Sequence, residues 1–475
     1  MKSTLQVLDF FKIQSTSHKD TSINSLCLDS RKCNKQSVFI ALKGQTTDGN
    51  KYIKDVLAKG VKLVLTDDSS IDNQQDVFYI DNLKDELADL AKWFYDYRKP
   101  ENVIGITGTN GKTSISNYVA QFFDLNNQKA LLLGTNGNGI YPSLKESTHT
   151  TLDILSLYGE LSDYKDSQNL VMEVSSHALD QKRTKGLDFD TAVFSNLSHD
   201  HLDYHKTMDN YFVAKAQLFL FESLKKVVIN IDDDYGQKLC KMCNCEVITV
   251  SLKSKEADIY LDVKSITDMQ TSFELYLSQK SMGCFTTTLL GDFNLTNLVL
   301  SISVCDGQIA RDRLLNSISQ IKPVKGRMEI IELPNNAKIV IDYAHTPDAL
   351  EKALQSLEIY SQANFWCIFG CGGDRDSSKR AKMATIVEKY ADKIVITEDN
   401  NRFEDVESIF DDIREGFSDT HTFIKSREGA IKYAIENAEQ GDIILLAGKG
   451  HECYLDKNGV KEFFDEREVI KRAIS

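Results

Sequence analysis

The sequence has little of what would place a protein outside the cell, in a membrane or on a nucleic acid. It carries 70 acidic against 56 basic side chains, a net charge of −14 over 475 residues, and such a surface repels a phosphate backbone. It lacks any run of about 18 apolar residues, the length that a membrane span needs. It also lacks the basic and apolar regions of a secretion signal at its start. We therefore expect a cytoplasmic protein that binds no nucleic acid and does not insert into a membrane.

Cysteine and proline are also scarce. The ten cysteines do not have the density of a disulfide framework. Cys240 and Cys243 form a CxxC pair, but a zinc site needs a second pair of ligands at suitable spacing, and none follows nearby. We expect free, reduced thiols there. Of the five prolines, Pro100 and Pro323 stand where domain boundaries are expected.

The length predicts about three domains at roughly 150 residues each, and we place them at residues 1–98, 99–322 and 323–475. Apolar runs alternate with helical patterns, which predicts an α/β fold with mostly parallel sheets wrapped by helices. The runs are Ser37–Leu42, Val61–Thr66, Ala130–Leu133, Leu170–Val174, Ala192–Phe194, Val227–Ile231, Ile339–Ile341, Phe365–Phe369, Lys393–Thr397 and Ile443–Ala447. Functional loops should follow the carboxyl ends of such strands. Asp342, Gly370, Glu398 and Gly448 stand at such positions.

A glycine-rich loop, Gly108-Thr-Asn-Gly-Lys-Thr113, follows an apolar run and opens a helical pattern over residues 114–125. A strand, a glycine turn and a helix start build a cradle in which backbone N–H groups and the helix dipole favour phosphate. Lys112 would reach the terminal phosphates, and the Thr113 hydroxyl would reach Mg²⁺. Ile106 stands where the general P-loop has glycine, so the loop is a variant.

Glu173 ends an apolar run in the middle of the chain. At the end of a strand in a P-loop domain, a carboxylate is well placed to hold Mg²⁺, directly or through water. The alternative is a solvated or capping glutamate.

The segment Asn196–His205 concentrates histidine and aspartate. His199, His201 and His205 fall within seven residues, with two aspartates between them. Facing a phosphate site, this cluster indicates a second cation, although surface loops also collect such residues by chance. A zinc-only site is less favoured because no cysteine or HExxH helix accompanies the cluster.

Lys215 lies among apolar neighbours in a segment, Tyr211–Phe221, whose pattern predicts a helix. In isolation, a lysine in such a place is expected to carry its amine to the surface.

The order of these motifs resembles the Mur ligase family. Ten matches cover nearly the whole chain: Leu28–Arg31, Gly108–Thr113, Glu173–His177, Asn196–His205, Ala214–Lys215, Gly291–Asn297, Gly326–Glu329, Asp342–Pro347, Gly370–Asp376 and Gly448–Glu452. Each match is weak alone, and their order is the strong signal. The resemblance implies the three-domain Mur ligase architecture. It would comprise a UDP-binding N-terminal domain, a central ATP-binding P-loop domain with a parallel sheet, and a Rossmann-like C-terminal α/β domain that binds an amino acid.

The resemblance also implies an ATP-dependent, ADP-forming ligase of peptidoglycan synthesis, and we expect a monomer. ATP would phosphorylate the terminal carboxylate of UDP-MurNAc-L-Ala-D-Glu to an acyl phosphate, which the amine of an incoming amino acid attacks. A carboxylate needs this activation because its leaving group would otherwise be oxide. The anionic transition states require Mg²⁺ and fixed donors aimed at the transferring oxygens.

The resemblance implies roles for individual residues. The catalytic residues would be Lys112, Glu173, His201 and Lys215, and the metal ligands Thr113, Glu173, His201 and Lys215 as a carbamate. ATP would contact Gly108, Thr109, Asn110, Gly111, Lys112, Thr113, Asn294, Asn297, Arg327, Asp342 and His345. The UDP substrate would contact Ser30, Asn110, Thr150, Thr151, Ser175, Gln181 and Arg183, and the amino acid Arg375, Asp399, Asn400, Asn401, Arg402, Gly448 and Glu452. Asn297 and Thr151 could alternatively be simple caps.

The candidate amino acids are meso-diaminopimelate and L-lysine, which differ by one distal carboxylate. Arginine recognises a carboxylate bidentately, and the family's diaminopimelate enzymes carry Asp-Asn-Pro-Arg at the relevant loop. This chain has Asp399-Asn-Asn-Arg402, so the arginine favours diaminopimelate. Asn401 replaces the proline, which predicts a similar turn of lower rigidity. Arg402 could alternatively form a surface salt bridge, for example with Glu404.

Two other functions are possible. A folylpolyglutamate synthase shares the GTNGK loop and the amide-forming chemistry, but it lacks a uridine-binding first domain, which Leu28–Arg31 and Gly44–Tyr52 indicate here. A non-catalytic nucleotide-binding regulator should have lost at least one of the four predicted catalytic residues, and none is lost.

Overall fold

The structure is a computed structural model that describes residues 2–15, 18–44, 47–71, 76–147, 149–267 and 269–474. All predicted site residues lie in these ranges, whereas residues 45 and 46 of the motif Gly44–Tyr52 lie outside them. The backbone groups into two compact units. The first comprises Met1–Gly105, Lys129–Asp190 and Leu220–Leu224, and the second comprises Ile106–Gln128, Thr191–Phe219 and Lys225–Ser475. The domain boundaries predicted near residues 98 and 322 stay a prediction.

The first unit contains a parallel four-stranded sheet. Its strands run in the order Ser25–Cys27, Ser37–Ala41, Leu63–Thr66 and Val77–Tyr79. Every residue of the two inner strands is buried, as expected of a parallel sheet that is covered on both faces. The strands predicted at Ser37–Leu42 and Val61–Thr66 are therefore confirmed, with slightly shorter bounds.

A second group of strands in the first unit includes the strand that ends at Glu173. Asn169–Glu173 runs parallel to Ala130–Gly134, which pairs antiparallel with Gly137–Ile140. The apolar runs predicted to be strands here are confirmed within one residue. The unit also contains the strands Lys2–Ser3 and Ser22–Ile23, the helices Thr4–Phe10, Ile53–Ala58, Leu83–Phe94, Ile154–Asp163 and Ser176–Asp180, and the 3-10 helix Gly49–Tyr52.

The strand Asn102–Thr107 leads into the glycine-rich loop, and the helix Lys112–Leu125 follows it. This strand–loop–helix order is confirmed, with the helix starting two residues earlier than predicted. The helix packs in the second unit against Asp292–Cys305, where the Ser301 hydroxyl donates to the Ile115 carbonyl at 3.4 Å. Both helices are buried on nearly every side, which explains why neither shows a clear polar face.

The second unit continues with parallel strands in the order Thr191–Phe194, Lys226–Asn230, Glu246–Ser251 and the start of Ile259–Thr267. An antiparallel extension follows through Gln270–Leu277 and Lys280–Thr287. The two strands predicted here, Ala192–Phe194 and Val227–Ile231, are confirmed. The antiparallel extension was not predicted, although every second residue of Gln270–Leu277 is buried, which is the period of a strand with one covered face.

The helix predicted over Tyr211–Phe221 is only partly correct. The α-helix spans Met208–Ala216, and a 3-10 helix follows at Gln217–Leu220. It starts early because the Thr207 side chain accepts a hydrogen bond from the Asn210 N–H at 3.1 Å and caps the first turn. A 3-10 turn is a common tightening of a helix end.

The C-terminal part of the second unit is built on a six-stranded sheet. Its strands run in the order Glu329–Glu332, Lys338–Asp342, Ile443–Ala447, Phe365–Phe369, Lys393–Ile396 and Thr422–Phe423, and all but the first are parallel. The strand Ile443–Ala447 is covered on both faces by apolar clusters. The four strands predicted here are confirmed. Because parallel strands end at one edge, the loops that follow them meet there, which is where such sheets bind ligands.

The remaining elements of the second unit surround these sheets. They are the helices Leu202–His205, Asp234–Cys240, Arg311–Ser317, Pro347–Glu358, Ser378–Tyr390, Val406–Arg414, Arg427–Asn437 and Glu466–Ala473, the 3-10 helix Ile318–Gln320, and the hairpin of Tyr454–Lys457 with Val460–Phe463. Across the described ranges, no helix combines the length and the apolar composition required to cross a membrane. All ten cysteines are free thiols.

Candidate functional site

The glycine-rich loop Gly108–Thr113 adopts a backbone that favours glycine at two positions. Gly108 has a φ of 152° and Gly111 a φ of 89°, values that side chains with a Cβ rarely accept. A Cβ on Gly111 would lie 2.5 Å from the Asn297 Oδ1, and a Cβ on Gly108 would overlap the Ser195 hydroxyl. Asn297, predicted as a nucleotide contact, therefore packs directly against the loop.

Two lysine amines converge on the same loop carbonyl. Lys112 Nζ donates to the carbonyls of Gly108 and Thr109 at 2.8 and 2.9 Å, and Lys215 Nζ donates to the Gly108 carbonyl at 2.7 Å. The structure therefore brings together two predicted catalytic residues that are about a hundred positions apart in the sequence. Both amines lie where the loop would receive the phosphates of a nucleotide.

Lys215 is buried, so the expectation that its amine reaches the surface is wrong. Only 1% of the residue is exposed, and its Nζ lies 4.7 Å from the centre of the Tyr211 ring. Burial, together with the positive charge of Lys112, lowers the pKa of Lys215 well below its ordinary value. A lysine in this state carries a larger fraction of neutral, nucleophilic amine at neutral pH than an exposed one.

Residues that follow the strand Thr191–Phe194 hold the glycine-rich loop by hydrogen bonds. The Asn196 side chain accepts from the Asn110 N–H at 3.0 Å and donates to the Asn110 carbonyl at 3.1 Å. The Ser195 hydroxyl donates to the same carbonyl. Asn110, a predicted contact of both ATP and the UDP substrate, is thus held by its backbone on both sides.

Asp348 contacts this loop from the C-terminal part of the second unit, and the sequence did not single it out. Its Oδ2 accepts from Asn110 Nδ2 at 3.2 Å, from the Ser198 hydroxyl at 3.0 Å and from Lys352 Nζ at 2.9 Å. Asp348 opens the helix Pro347–Glu358, directly after the Asp342–Pro347 motif. Its position beside that motif was the only available signal.

The histidine and aspartate cluster does not form a metal site by itself. The Asp200 carboxylate oxygen Oδ2 lies 3.4 Å from His201 Nε2. His205, in contrast, is buried and stacks on the Tyr211 ring with 5.0 Å between ring centres. Within the described ranges, no three histidine, cysteine or acidic side chains are placed to hold a metal ion together. The His201 ring contacts the same Tyr211 ring edge-on, with 6.0 Å between ring centres. His201 stays a predicted ligand on the resemblance alone.

Glu173 is buried at the end of its strand in the first unit. Its Oε1 accepts from the Thr135 N–H at 2.8 Å, and its Oε2 accepts from the Thr135 hydroxyl at 3.1 Å. Gly134 lies so close that a Cβ there would overlap the carboxylate. The carboxylate thus orders the loop after the neighbouring strand, and its predicted metal role stays a prediction.

Most residues predicted for the UDP substrate form one network in the first unit. The Thr151 hydroxyl donates to the Glu173 carbonyl at 2.8 Å and accepts from the Ser175 N–H at 3.0 Å. Arg183 donates to the Thr151 carbonyl at 3.1 Å and to Gln181 Oε1 at 3.0 Å. The Thr150 hydroxyl is 3.1 Å from that of Thr135. Thr151 is therefore not a simple cap: Asp153 caps the helix Ile154–Asp163, and the Thr151 hydroxyl ties its own segment to the end of the strand Asn169–Glu173.

Ser30 belongs to a different loop of the first unit, and its carbonyl accepts from Lys59 Nζ at 2.8 Å. In the same loop, Arg31 pairs with Asp29 and lowers the pKa of Asp29 to about 2.

His149 was not predicted as a site residue. Partial burial and then the charges of Arg183 and Lys32 lower the pKa of His149. His149 therefore lies close enough to both predicted substrate-binding segments for their charges to act on it.

Arg327 lies in a turn beside the glycine-rich loop, and Asp342 ends the neighbouring strand Lys338–Asp342. Arg327 Nη2 lies 3.4 Å from the Thr113 hydroxyl, and its guanidinium lies 4.5 Å from the centre of the Tyr343 ring. Asp342 accepts from the backbone N–H groups of Met328 and Ala344, each at 2.8 Å. Arg327 therefore contacts the end of the glycine-rich loop, and Asp342 holds the backbone next to Arg327; their predicted contacts with ATP stay a prediction.

Asn294 and His345 complete the set predicted for ATP. Asn294 is buried, and its Oδ1 accepts from the Tyr118 hydroxyl at 3.2 Å. His345 is exposed, with its Nδ1 2.8 Å from the Tyr343 carbonyl. Its exposure leaves His345 accessible to a ligand, whereas the Asn294 side chain is committed to contacts inside the fold.

The loops after the strands of the C-terminal sheet bring most of the predicted amino-acid contacts together. Asn400 Nδ2 donates to Glu452 Oε2 at 2.8 Å. Gly448 has a φ of 109°, and a Cβ there would lie 2.9 Å from Asp399 Oδ2. Arg375 is exposed on the loop Gly370–Asp376 and stands apart from this group.

Arg402 is fixed through its backbone by the hairpin of Tyr454–Lys457 with Val460–Phe463. Its N–H donates to the Asp456 carbonyl at 2.9 Å, and its carbonyl accepts from the Asn458 N–H at 2.7 Å. Its guanidinium donates to the Gly373 carbonyl at 2.6 Å. The alternative of a salt bridge with Glu404 is not supported, because that carboxylate pairs with Arg380 at 2.6 and 2.7 Å.

Asn401 closes the turn that the family's proline would stiffen. Its Nδ2 donates to the Glu404 carbonyl at 3.2 Å, and its own carbonyl accepts from the Glu404 N–H at 3.0 Å. An asparagine side chain that bonds to the backbone three residues ahead limits a turn much as a second backbone hydrogen bond would. The turn from Asn401 to Glu404, which contains Arg402, is thus held at both ends without proline.

Comparisons with known proteins agree with this arrangement. Residues 22–95 match the Mur ligase family catalytic domain, residues 106–305 the Mur ligase middle domain, and residues 326–450 the Mur ligase glutamate ligase domain. The chain is 40% identical to the UDP-N-acetylmuramoyl-L-alanyl-D-glutamate–2,6-diaminopimelate ligase of Pseudomonas aeruginosa, over 96% of both chains. It is 39% identical to the ligase of that name from Neisseria meningitidis, over 94% of both chains.

A solved structure of a ligase of that name has the same fold. It matches with a TM-score of 0.67 and 36% identity, over 95% of this chain and 94% of the other. The three matching family models and the similarity over nearly the full length therefore lead to one conclusion: the chain belongs to the Mur ligase family.

Proposed function

We propose that this chain is the ligase that joins meso-diaminopimelate to UDP-MurNAc-L-Ala-D-Glu at the expense of ATP. The observation that carries the proposal is the 40% identity, over 96% of both chains, to a relative named for that reaction. The structure supports it with a phosphate loop at Gly108–Thr113 and with an arginine, Arg402, beside the acidic and amide groups of Asp399, Asn400 and Glu452.

The reaction has two steps. The γ-phosphoryl group of ATP passes to the terminal carboxylate of the UDP substrate, which releases ADP and gives an acyl phosphate. The amine of the amino acid then attacks the acyl carbon, the bond to phosphate breaks, and the nitrogen loses a proton. Lys112, Arg327 and the loop N–H groups would balance the charge on the transferring oxygens. Fixed donors of this kind stabilise a transition state without reorganising.

Magnesium is part of this proposal, held by Thr113, Glu173, His201 and Lys215. A hydroxyl, a carboxylate and a carbamate are the hard oxygen donors that Mg²⁺ prefers. Bound there, Mg²⁺ would neutralise charge on the phosphates. The burial and lowered pKa of Lys215 fit this role, because a neutral amine can add to CO2 and lose a proton to give the carbamate oxygens. As an unmodified cation, Lys215 would repel the metal.

The amino acid would be recognised in the C-terminal part of the second unit. Arg402 would exchange its bonds to the Gly373 and Asn400 carbonyls for a bidentate contact with the distal carboxylate of diaminopimelate. Glu452 would receive the distal ammonium group. L-lysine lacks the carboxylate, so its binding would leave the guanidinium unmatched, which sites of this kind penalise strongly.

The other parts of the proposal concern substrate and location. Ser30, Thr150, Thr151, Ser175, Gln181 and Arg183 would bind the UDP substrate, and Asn294, Asn297, Asp342 and His345 would surround ATP. The enzyme would act as a monomer in the bacterial cytoplasm, where its nucleotide substrates occur. A folylpolyglutamate synthase is less favoured, since the close relatives carry the diaminopimelate ligase name along the whole chain.

Phosphate release from ATP tests the proposal. The purified protein is given UDP-MurNAc-L-Ala-D-Glu with either meso-diaminopimelate or L-lysine, and we expect turnover with diaminopimelate and little with lysine. A preference for lysine would refute the role of Arg402, and turnover with neither would refute the function. Arg402→Leu should lower kcat/KM for diaminopimelate by roughly 10- to 100-fold, the effect of losing a charged hydrogen bond. Arg414→Leu, which removes an exposed arginine paired with Asp411, is the matched control and should change little.

A further inference from the structure

Lys449 is a buried lysine to which the proposed function gives no role. It follows Gly448 in the loop after the strand Ile443–Ala447, and its side chain is 0% exposed. A buried ammonium group is costly unless other groups pair with it. Its partners should therefore reveal what it does.

The partners of Lys449 are three residues of the proposed amino-acid site. Its Nζ donates to Asn400 Oδ1 at 3.0 Å and to Glu452 Oε2 at 2.9 Å, and it lies 3.7 Å from Asp399 Oδ1. An ammonium group has three donors, and here it faces three acceptors. Asn400 also donates to the same Glu452 oxygen at 2.8 Å. The Lys449 amine, the Asn400 amide and the Glu452 carboxylate are therefore each hydrogen-bonded to the other two.

The charges of this group leave room for one further cation. Asp399 and Glu452 contribute two negative charges and Lys449 one positive charge, while Arg427 and Glu466 behind them pair with each other at 2.8 Å. The positive charge of the nearby Arg402 is assigned to the distal carboxylate of the amino acid, so the remaining single negative charge matches one ammonium group of the same ligand. Burial alone would raise the pKa of Asp399, but the charges of Lys449 and Arg427 outweigh it and keep that pKa below its ordinary value.

We propose that Lys449 is a positioning residue of the amino-acid site: its buried ammonium group holds Asn400 and Glu452 in the orientation with which they receive the amino acid. This inference rests on the proposed function. Without the ammonium group, and among the described residues, Glu452 keeps only the Asn400 amide and the Tyr454 hydroxyl, at 2.8 and 3.3 Å, and Asn400 Oδ1 keeps only the Asp456 N–H, at 2.9 Å. The ligand would have to supply the rest of their order, and ordering side chains on binding lowers affinity. Lys449 itself touches no reacting atom.

The test compares Lys449→Met with the wild type in the phosphate-release assay, varying one substrate at a time. Methionine keeps most of the volume and removes the charge. We expect KM for the amino acid to rise at least tenfold, with kcat at saturation falling much less and with KM for ATP and for the UDP substrate within about twofold of the wild type. Lys432→Met is the matched control. Lys432 pairs with Glu428 at 2.8 Å on the exposed side of the helix Arg427–Asn437, so its variant should leave all three KM values within about twofold.

The outcomes separate this inference from the proposed function. Turnover by the wild type with neither amino acid overturns the proposed function and this inference with it. A wild type that turns over, with an amino-acid KM unchanged in Lys449→Met or with all three KM values rising together, overturns only the inference. If Lys449→Met does not fold, Lys449→Met with Glu452→Gln removes the unpaired buried charge. That double variant should raise the amino-acid KM at least threefold over Glu452→Gln alone, and an equal KM would overturn the inference.

Discussion

Glu466→Leu should destabilise the protein strongly, because it leaves the Arg427 guanidinium buried without its charge partner. Both side chains are 0% exposed and lie 2.8 Å apart. Arg427 has a further hydrogen bond to the Ala447 carbonyl at 2.8 Å, which satisfies one donor but not the charge. Breaking a buried pair on one side costs about 3–5 kcal/mol. At roughly 2–4 °C per kcal/mol for a region of 150–250 residues, the first thermal transition should fall by about 6–20 °C.

The double variant Arg427→Met with Glu466→Leu should recover most of this loss. Burial raises the pKa of Glu466 although Arg427 opposes the shift, so the ionised carboxylate is itself costly in this place. Apolar replacements of similar volume avoid the cost of taking both charges out of water. Circular dichroism during heating measures both variants. Lys432→Met removes an exposed pair with Glu428 on the same helix and should cost less than about 1 kcal/mol.

Two results would refute this reasoning. A loss below about 1 kcal/mol in Glu466→Leu would mean that the Arg427 charge reaches water or another partner when Glu466 is absent. A double variant as unstable as the single variant would mean that packing around Arg427 and Glu466, and not the unpaired charge, sets the stability of this region.

Three further changes address the loop, the buried lysine and acid stability. Gly111→Ala should lower kcat/KM for ATP at least tenfold, because the added Cβ meets the Asn297 side chain at 2.5 Å; unchanged kinetics would show that the loop tolerates a Cβ. Lys215→Ala should abolish most phosphate release, and short carboxylic acids should partly restore it; an active variant would remove the carbamate role. Hydrogen bonds from His421 and from backbone N–H groups lower the pKa of Glu388 to about 2, so its contribution to stability is present above its unfolded pKa of about 4.3 and lost as pH falls towards 2. Glu388→Gln should therefore weaken the pH dependence of the melting temperature between about pH 5 and 2, and an identical pH profile would contradict this.

The sequence predicted the sheets of this fold well because buried parallel strands are short, continuous apolar runs. Phe365–Phe369 and Ile443–Ala447 have the bounds that the runs indicate. The antiparallel extension at Gln270–Leu277 was overlooked, since a strand with one covered face shows only alternation. The helix over Tyr211–Phe221 was extended too far because its apolar residues continue into the 3-10 turn.

The local structure around single residues was predictable where a motif fixes it and not where tertiary contacts do. Lys112 and the glycines of its loop follow from the motif. The convergence of Lys215 on the Gly108 carbonyl, the contact of Asp348 with Asn110 and the central position of Lys449 depend on strands that are distant in sequence. A buried lysine and a surface lysine look alike in a sequence, since the environment that shifts a pKa or fixes a partner is created only by folding.

The hairpin that is hydrogen-bonded to the Arg402 backbone has a consequence for how the proposed preference for one amino acid could change. The backbone of Arg402 is hydrogen-bonded to that of Asp456 and Asn458. The position of its guanidinium therefore depends on the length and twist of a surface hairpin that need not touch the ligand. The turn at Asn458 and Gly459 is exposed, with φ of 53° and 77°, and a change of its geometry would move the Asn458 N–H that holds the Arg402 carbonyl. On the proposed function, selectivity could therefore change through substitutions in this turn, while every residue proposed to contact the amino acid stays the same.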